Sequence, residues 1–376
     1  MPARHPTFGA YCHPRASLGG PDEIAVASRR HRRRGRTTVS SLAARLAIHR
    51  VSFLRPSEKR LLEAAVDGGA DLPSLTFSGL ERIIGRLSRS RDWRPHNLVE
   101  DAERDLRFLE RTGIRYLSFD DLEYPPLLRE IHDPPYGLFI RGAALDNLAP
   151  ALAVVGTRAA SGRGISTASV LSRDAAIAGI PVVSGLARGI DAAAHRGALA
   201  ARSRDRSSAS TVAVLPVGID SIYPPSHRGL AAAILERGGS LISEYPPGQG
   251  PRAWRFPERN RILAGMARAT LVVEAPADSG ALITARHALD AGRDVWVCLA
   301  LLGRPMNAGA DRLASEGAPA LSSLDELLSD WGFSIRRAIL SGGSGDSKKS
   351  NAAVGNGDEA GLLVASLRAE LGLEDE

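Results

Sequence analysis

From Pro150 onward, short unbroken apolar runs alternate with helical stretches of about a dozen residues, and few folds satisfy that alternation. The runs lie at 152–155, 181–183, 211–215, 240–243, 271–274 and 295–299. Helical patterns fill 164–178, 191–200, 226–237 and 280–291. Strands that are apolar on both faces belong in a parallel sheet covered on both sides. Right-handed crossovers then collect the strand-to-helix loops along one edge, where such sheets bind ligands. The expected class is therefore α/β: a mostly parallel Rossmann-like sheet over 151–335, with helices on both faces.

Upstream the texture differs. Leu42, Leu46, Leu61, Leu62 and Val66, then Leu80, Ile83, Ile84 and Leu87, recur at three- and four-residue spacings. That is helical periodicity, punctuated by Gly68-Gly69 and Pro73. Residues 41–123 are expected to form a small all-α domain of helix-hairpin-helix or SAM-like type. A Pro-rich connector, 124–150, follows it and ends in a short strand. Residues 1–40 combine Pro, Gly and Ser with the basic run Arg29 to Arg36, and read as a disordered basic tail. Residues 336–376 read as a linker and short acidic tail, with no room for a full winged-helix domain.

The net charge of +6 invites a polyanion as partner, but eight arginines against Asp22 and Glu23 in the first forty residues account for all of it. Individual arginines must therefore carry any nucleic-acid reading. Hydrophobic residues make up 44% and charged residues 24%, as in a soluble globular chain. No apolar run approaches the ~18 residues of a membrane span, and no secretory leader is visible, so a cytoplasmic location without membrane attachment is expected. Cys12 and Cys298 are the only cysteines. Two distant cysteines supply neither a disulfide framework nor a metal-ligand spacing.

The strand-end loops hold the chemistry. There is no G-x-x-x-x-G-K-[ST], and no G-x-G-x-x-G follows the first strand, which disfavours P-loop hydrolysis and a standard dinucleotide site. Instead the first loop reads Gly156-Thr-Arg-Ala-Ala-Ser-Gly-Arg-Gly164, and the second Ser184-Gly-Leu-Ala-Arg-Gly-Ile-Asp191, with His195 one turn on. Glycines let backbone approach a ligand, and the amides of the following helix attract an anion. Arg158, Arg163 and Arg188 add full charges, able to grip phosphate or stack on a base. Asp191 and His195 share a helix face and suit either an acid–base pair or bracing of the loop; bracing is preferred because no nucleophile or metal cluster accompanies them.

Further along, Tyr223 is either a stacking platform or a buried phenol. Glu244 opens a loop carrying Trp254 and Phe256, and Phe256-Pro-Glu-Arg-Asn-Arg-Ile262 concentrates Arg259, Asn260 and Arg261. Aromatic and guanidinium planes beside backbone donors suit single-stranded nucleic acid. The competing account is a salt bridge from Arg259 or Arg261 to Glu244 or Glu274. Glu274 ends an apolar strand, where a carboxylate needs a partner. Ser279 and Gly280 open the next helix, with Thr284 one turn further.

Val155-Gly-Thr-Arg158, Ser184-Gly-Leu-Ala-Arg-Gly-Ile-Asp191 with His195, Tyr223-Pro224, Ser243-Glu244, Phe256-Pro-Glu-Arg-Asn-Arg261, and Glu274 with Ser279-Gly280 and Thr284-Ala285 together resemble the DNA-processing protein A (DprA/Smf) family, in order and in spacing. The resemblance implies an extended Rossmann fold, cooperative binding of single-stranded DNA, protection of incoming strands, and loading of a RecA-type recombinase during natural transformation. It implies a homodimer without catalytic activity, cofactor or metal. Arg158 would be the main contact to the strand. Backbone donors would come from Gly156, Thr157, Ser184, Gly185, Leu186, Ala187, Gly189, Ser279 and Gly280. Arg163, Arg188, Tyr223, Arg259, Asn260, Arg261 and Thr284 would line the same pocket, and Asp191, His195, Glu244 and Glu274 would brace it.

Two departures stand out: Asp311 takes the place of the family's usual Asn, adding negative charge near the proposed anion site, and 201–210 makes a longer basic loop. The competing function is a nucleotide-processing, phosphoribohydrolase-like enzyme, whose Pro-Gly-Gly-x-Gly-Thr loop is here Asp278-Ser-Gly-Ala-Leu-Ile-Thr284.

Overall fold

A computed structural model describes residues 39–66, 71–88, 92–145, 148, 150–201 and 211–332. The expected basic tail, nearly all of the basic 201–210 loop and the C-terminal linker and acidic tail lie outside the described residues. Four helices come first: α1 (Val39–His49), α2 (Pro56–Ala65), α3 (Phe77–Ile84) and α4 (Pro95–Thr112). Their starts follow from local chemistry. Pro opens α2 and α4, where its missing N–H costs nothing, and the Thr76 hydroxyl accepts the Gly79 amide at 3.1 Å to begin α3. The helical segment then closes with β1 (Arg115–Ser118), followed by α5 (Pro126–Arg129) and β2 (Gly137–Gly142).

The rest alternates: β3 (Leu152–Val155), α6 (Gly162–Ile177), β4 (Val182–Ser184), α7 (Ile190–Ala200), β5 (Thr211–Leu215), α8 (Arg228–Glu236), β6 (Ser240–Ser243), α9 (Arg255–Met266), β7 (Ala269–Val272), α10 (Gly280–Asp290), β8 (Asp294–Cys298), α11 (Ala308–Ser315), β9 (Ala320–Leu321) and α12 (Leu324–Asp330). The nine strands form one sheet in the order β1-β2-β6-β5-β4-β3-β7-β8-β9. Strands β3 to β9 pair in parallel, with Ala153 opposite both Val183 and Thr270, and β2 and β1 extend the β6 edge in antiparallel pairs. The fold is the expected α/β sheet.

Alternation along β5 explains the two faces. Val212 and Val214 join a cluster with Leu128 of α5, Ile262 and Leu263 of α9, Ala285 of α10 and Leu313 of α11. Ala213 and Leu215 point the other way, into a cluster with Leu46, Leu62, Leu80 and Leu109 of α1 to α4 and Ile234 of α8. Every inward methyl-bearing group is thereby removed from water on one side or the other. The helical segment therefore shares a continuous apolar cluster with the β2–β6–β5 face.

Several elements escaped the periodicity, among them α5, α11 and three more. β1 and β9 are four and two residues long, too short for a pattern. α9 carries Pro257 and an arginine-rich face, yet the proline falls in the first turn, where it is tolerated.

Polar contacts fasten α1 to the sheet. His49 is buried, and its Nε2–H donates to the Glu244 carbonyl at 2.6 Å. Its Nδ1 therefore accepts from the Tyr116 hydroxyl at 3.0 Å, and Lys59 donates to the His49 carbonyl at 2.6 Å. In α7, the buried His195 donates from Nδ1 to Thr211 Oγ1 at 2.8 Å, since that hydroxyl spends its own proton on the Val182 carbonyl. Burial, which disfavours the imidazolium, pushes both histidines down to about 3.

Both must therefore be neutral in the folded chain while titrating near pH 6.5 in the unfolded one. Below pH 6.5 the unfolded state binds more protons, so stability falls with pH by about 1.4 kcal/mol per unit for each histidine until the folded value is reached. The carboxyls of buried Asp191 and half-buried Glu258, raised by desolvation, act in the opposite sense at lower pH. Urea unfolding is expected to show a loss of about 2 kcal/mol or more between pH 7 and pH 5. An unfolding free energy that is flat over that interval would contradict the assignment.

Candidate nucleic-acid interface

The strand order reverses at β3: the chain proceeds β4, β5, β6 on one side, then returns to place β7 on the other. Open parallel sheets bind ligands at such a switch point, beyond the carboxyl ends of the strands. A cleft of about 1110 Å³ lies there, lined by the loops after β3, β5, β6 and β7 and the first turns of α9 and α10.

Much of the expected anion cradle is already occupied by the protein itself. The Glu274 carboxylate, 2% exposed, accepts from the Ser161 amide at 2.8 Å and the Ser161 hydroxyl at 3.2 Å. Ser161 in turn caps α6 by accepting the Gly164 amide at 3.0 Å. The backbone closes beside it, with the Thr157 amide donating to the Glu274 carbonyl at 2.7 Å. The start of α6 thus has an internal anion. At α7, Asp191 plays a similar part: its carboxylate accepts from the Ala187 amide at 3.3 Å, and the Ile190 amide donates to the Thr157 carbonyl at 3.2 Å.

Glycines in these loops serve packing rather than ligand approach. A Cβ at Gly185 would collide with the Arg259 guanidinium, and one at Gly164 with the Glu274 carboxylate. Arg259 is 4% exposed and donates to the Val214 carbonyl at 2.7 Å, beneath the loop. Burial lowers it to about 10, with Asp191 opposing that shift, so it remains a cation at neutral pH and balances Asp191 in the cleft floor. Arg261 turns away altogether. Both Glu244 carboxylate oxygens accept from its Nη2 at 2.7 Å, and Asp133 lies 3.7 Å from its Nε.

What remains open lies at the mouth. Arg158 is exposed, its guanidinium 5.2 Å from the centre of the Phe256 ring, and Tyr223 meets Phe256 edge-on at 5.2 Å. On the same cleft, α10 begins at Ser279 and Gly280, and no carboxylate bonds to that end among the described residues. Ser279 accepts the Ala281 amide at 3.3 Å, and Asn260 Nδ2 donates to the Gly280 carbonyl at 3.3 Å, joining α9 to α10. Gly280 is exposed, with open space where a side chain would stand. A helix start of this kind favours an anion, and a guanidinium laid on an aromatic ring suits a phosphate or a base.

The structure therefore gathers Gly156, Thr157, Arg158, Ala187, Asp191, Tyr223, Arg259, Asn260, Ser279, Gly280 and Thr284 around one cleft. Ser184, Gly185, Leu186 and Gly189 sit behind it: the Ser184 hydroxyl donates to the Val154 carbonyl at 2.7 Å, and the Leu186 carbonyl accepts from His227 at 2.9 Å. Arg163 and Arg188 are exposed but do not line the cleft. His195, packed against Thr211, does not line it either, so Asp191 and His195 form no joint catalytic site. Arg252, exposed on the wall, was not singled out from sequence; its place next to Trp254 and Phe256 was the available signal. Asp311 does not line the cleft; its carboxylate turns to the Gly303 amide, which it accepts at 2.8 Å.

The model of the DNA recombination-mediator protein A family matches residues 115–332. Protein Smf of Escherichia coli is 38% identical over 236 residues, which are 63% of this chain and 62% of that protein. The DNA processing protein DprA of Streptococcus pneumoniae is 38% identical over 242 residues, 62% of this chain and 79% of the relative. The matched stretch thus spans less than two thirds of the E. coli protein. Among solved structures, S. pneumoniae DprA superposes with a TM-score of 0.61 at 30% identity, covering 80% of this chain and 100% of its own. DprA of Helicobacter pylori, whose structure concerns its single-stranded DNA binding mode, gives 0.50 at 22%, covering 58% and 95%. That second likeness concerns the fold alone.

Substituting Gly185→Ala should cost about 1–3 kcal/mol, since the new methyl must displace a guanidinium held by a carbonyl. Gly162→Ala, at the open start of α6, should change stability by less than about 1 kcal/mol. Paired urea titrations compare them, and equal midpoints would refute the packing role given to Gly185.

Proposed function

Since the chain belongs to the DNA recombination-mediator protein A family, we propose that it binds single-stranded DNA in the cleft at the β3–β7 switch point and acts as a recombination mediator. The carrying observation is the mouth of that cleft, where an exposed Arg158 rests on Phe256 and the start of α10, free of any carboxylate partner among the described residues, lines the same space. Arg158 grips a phosphate or stacks on a base. The amide end at Ser279–Gly280 receives the next phosphate, Arg252 adds charge to the wall, and Phe256 with Tyr223 offers aromatic edge and face. Arg259 and Arg261 belong to the scaffold, with Asp191, His195, Glu244 and Glu274. A duplex, whose bases are stacked inward, cannot use the aromatic contacts and is bound less well.

The wider role follows the family resemblance: protection of incoming strands, delivery to a RecA-type recombinase as in natural transformation, and action as a homodimer in the cytoplasm. A non-catalytic role follows the family resemblance. His195 bonds to Thr211 and stays outside the lining, so it is no acid–base partner for Asp191 in the cleft, which weighs against the phosphoribohydrolase-like alternative. Among the described residues the cleft acids are Asp191, tied to its own loop, and the exposed Asp278.

Titrating labelled oligo-dT into Arg158→Ala should weaken binding about ten- to a hundred-fold, the range for losing a charged contact. It should also lower the salt-dependence slope by about 0.7 per lost phosphate contact. Arg261→Ala should instead lower the unfolding midpoint. Wild-type affinity from the Arg158 variant would remove the site assignment, and hydrolysis of a nucleoside monophosphate to free base would favour the enzyme.

A further inference from the structure

We propose that Trp254, on the rim of the cleft, is a second stacking station that takes a base of the same single strand after it leaves Arg158 and Phe256. The proposal rests on the single-strand reading above. Trp254 is 56% exposed, the largest aromatic surface left open among the described residues. It is set one residue from Ala253 and two from Phe256, both of which line the cleft, while its own side chain stands outside the lining. A strand passing along the wall would therefore meet it next.

The ring is held rather than loose. The Arg255 guanidinium lies 5.1 Å from its centre and 4.4 Å from that of Tyr245, and Tyr245 meets Trp254 edge-on at 6.2 Å. Arg255 is itself fixed, donating to the Gly250 carbonyl at 2.6 Å and to Gln249 Oε1 at 2.7 Å, and Tyr245 donates to Glu258 at 2.8 Å. A platform positioned in advance costs less ordering when a base arrives.

The plain alternative is that Trp254 merely covers Arg255. Arg255 does not need the cover, because Tyr245 and two hydrogen bonds already hold it, and a covering role leaves more than half of the ring in water without use. Arg252, two residues before Trp254 and exposed, supplies a cation for the phosphate between the two stations.

The four tryptophans give a direct readout. Trp296 and Trp331 are buried, and the half-buried Trp93 donates its indole N–H to the Leu75 carbonyl at 2.7 Å. Trp254 alone among them is exposed, so quenching by a stacked base reports on it.

The test uses the full chain as wild type, Trp254→Ala, Trp254→Phe and Arg158→Ala, with fluorescein-labelled oligo-dT of increasing length, reading affinity by anisotropy and indole emission separately. Short oligomers that fill only the cleft should bind wild type and Trp254→Ala alike. Longer ones should lose about 5- to 150-fold in Trp254→Ala, the range for one base–aromatic stack, and recover most of it in Trp254→Phe. Wild-type emission should be quenched only once the oligomer reaches the longer class.

Wild-type affinity from Trp254→Ala at every length, or saturation without quenching, overturns the second station while Arg158→Ala still tests the cleft. An equal loss at every length also overturns it, because that marks a displaced loop. No binding by wild type removes both readings.

Discussion

A carboxylate buried at the end of an apolar strand organises the whole rim. Glu274 would be costly there without partners, and it finds them in the amide and hydroxyl of Ser161, across the switch point. The same bonds fix the start of α6, draw the β3 loop against β7 and require a glycine at 164. Asp191 repeats the device at the next loop. The protein thus spends two acids on satisfying its own helix starts, and one consequence is that a polyanion finds only the third, at α10, unoccupied. A rim that looked like three equivalent cradles is one cradle with two built-in supports.

Charge follows the same division. Arg261 is a buried cation paired with Glu244, where removing one partner would strand the other in low dielectric, and the buried Arg259 is held by the Val214 carbonyl with Asp191 in its field. Arg158 and Arg252 are exposed, and their charge is available to a ligand. The arginines therefore separate by burial, not by proximity to a motif. Arg259 and Arg261 are two residues apart on α9, yet one lies under the cleft floor and the other behind it.

The sheet was legible because its strands are apolar on both faces and its helices are long enough to show a period. The rim was legible as a set of glycine-bearing loops. What sequence could not decide was direction. Arg158, Arg163 and Arg188 look alike in the chain, but Arg163, the second residue of α6, and Arg188, just before α7, stay out of the cleft lining. The glycines at 164 and 185 carry the same letter whether a ligand or a guanidinium fills the space beside them. Asp311 gave a misleading sign for a related reason: its carboxylate turns to the Gly303 amide, a contact eight residues back that no periodicity encodes, and it stays out of the cleft lining.

The helical segment bears on the cleft through Glu244. His49 of α1 donates to its carbonyl, Arg261 of α9 binds its carboxylate, and the half-buried Lys59 of α2, lowered to about 8 by desolvation, is held up by the same acid. From Glu244 the chain runs on through the loop that carries Arg252 and Trp254. Any shift of α1 or α2 relative to the end of β6 would break at least one of these bonds, and the unpaired group left behind would be buried. The orientation of the cleft wall and the docking of the helices are therefore one equilibrium. On the proposed reading, a strand bound along that wall would stabilise the helical segment through the same contacts that place the wall.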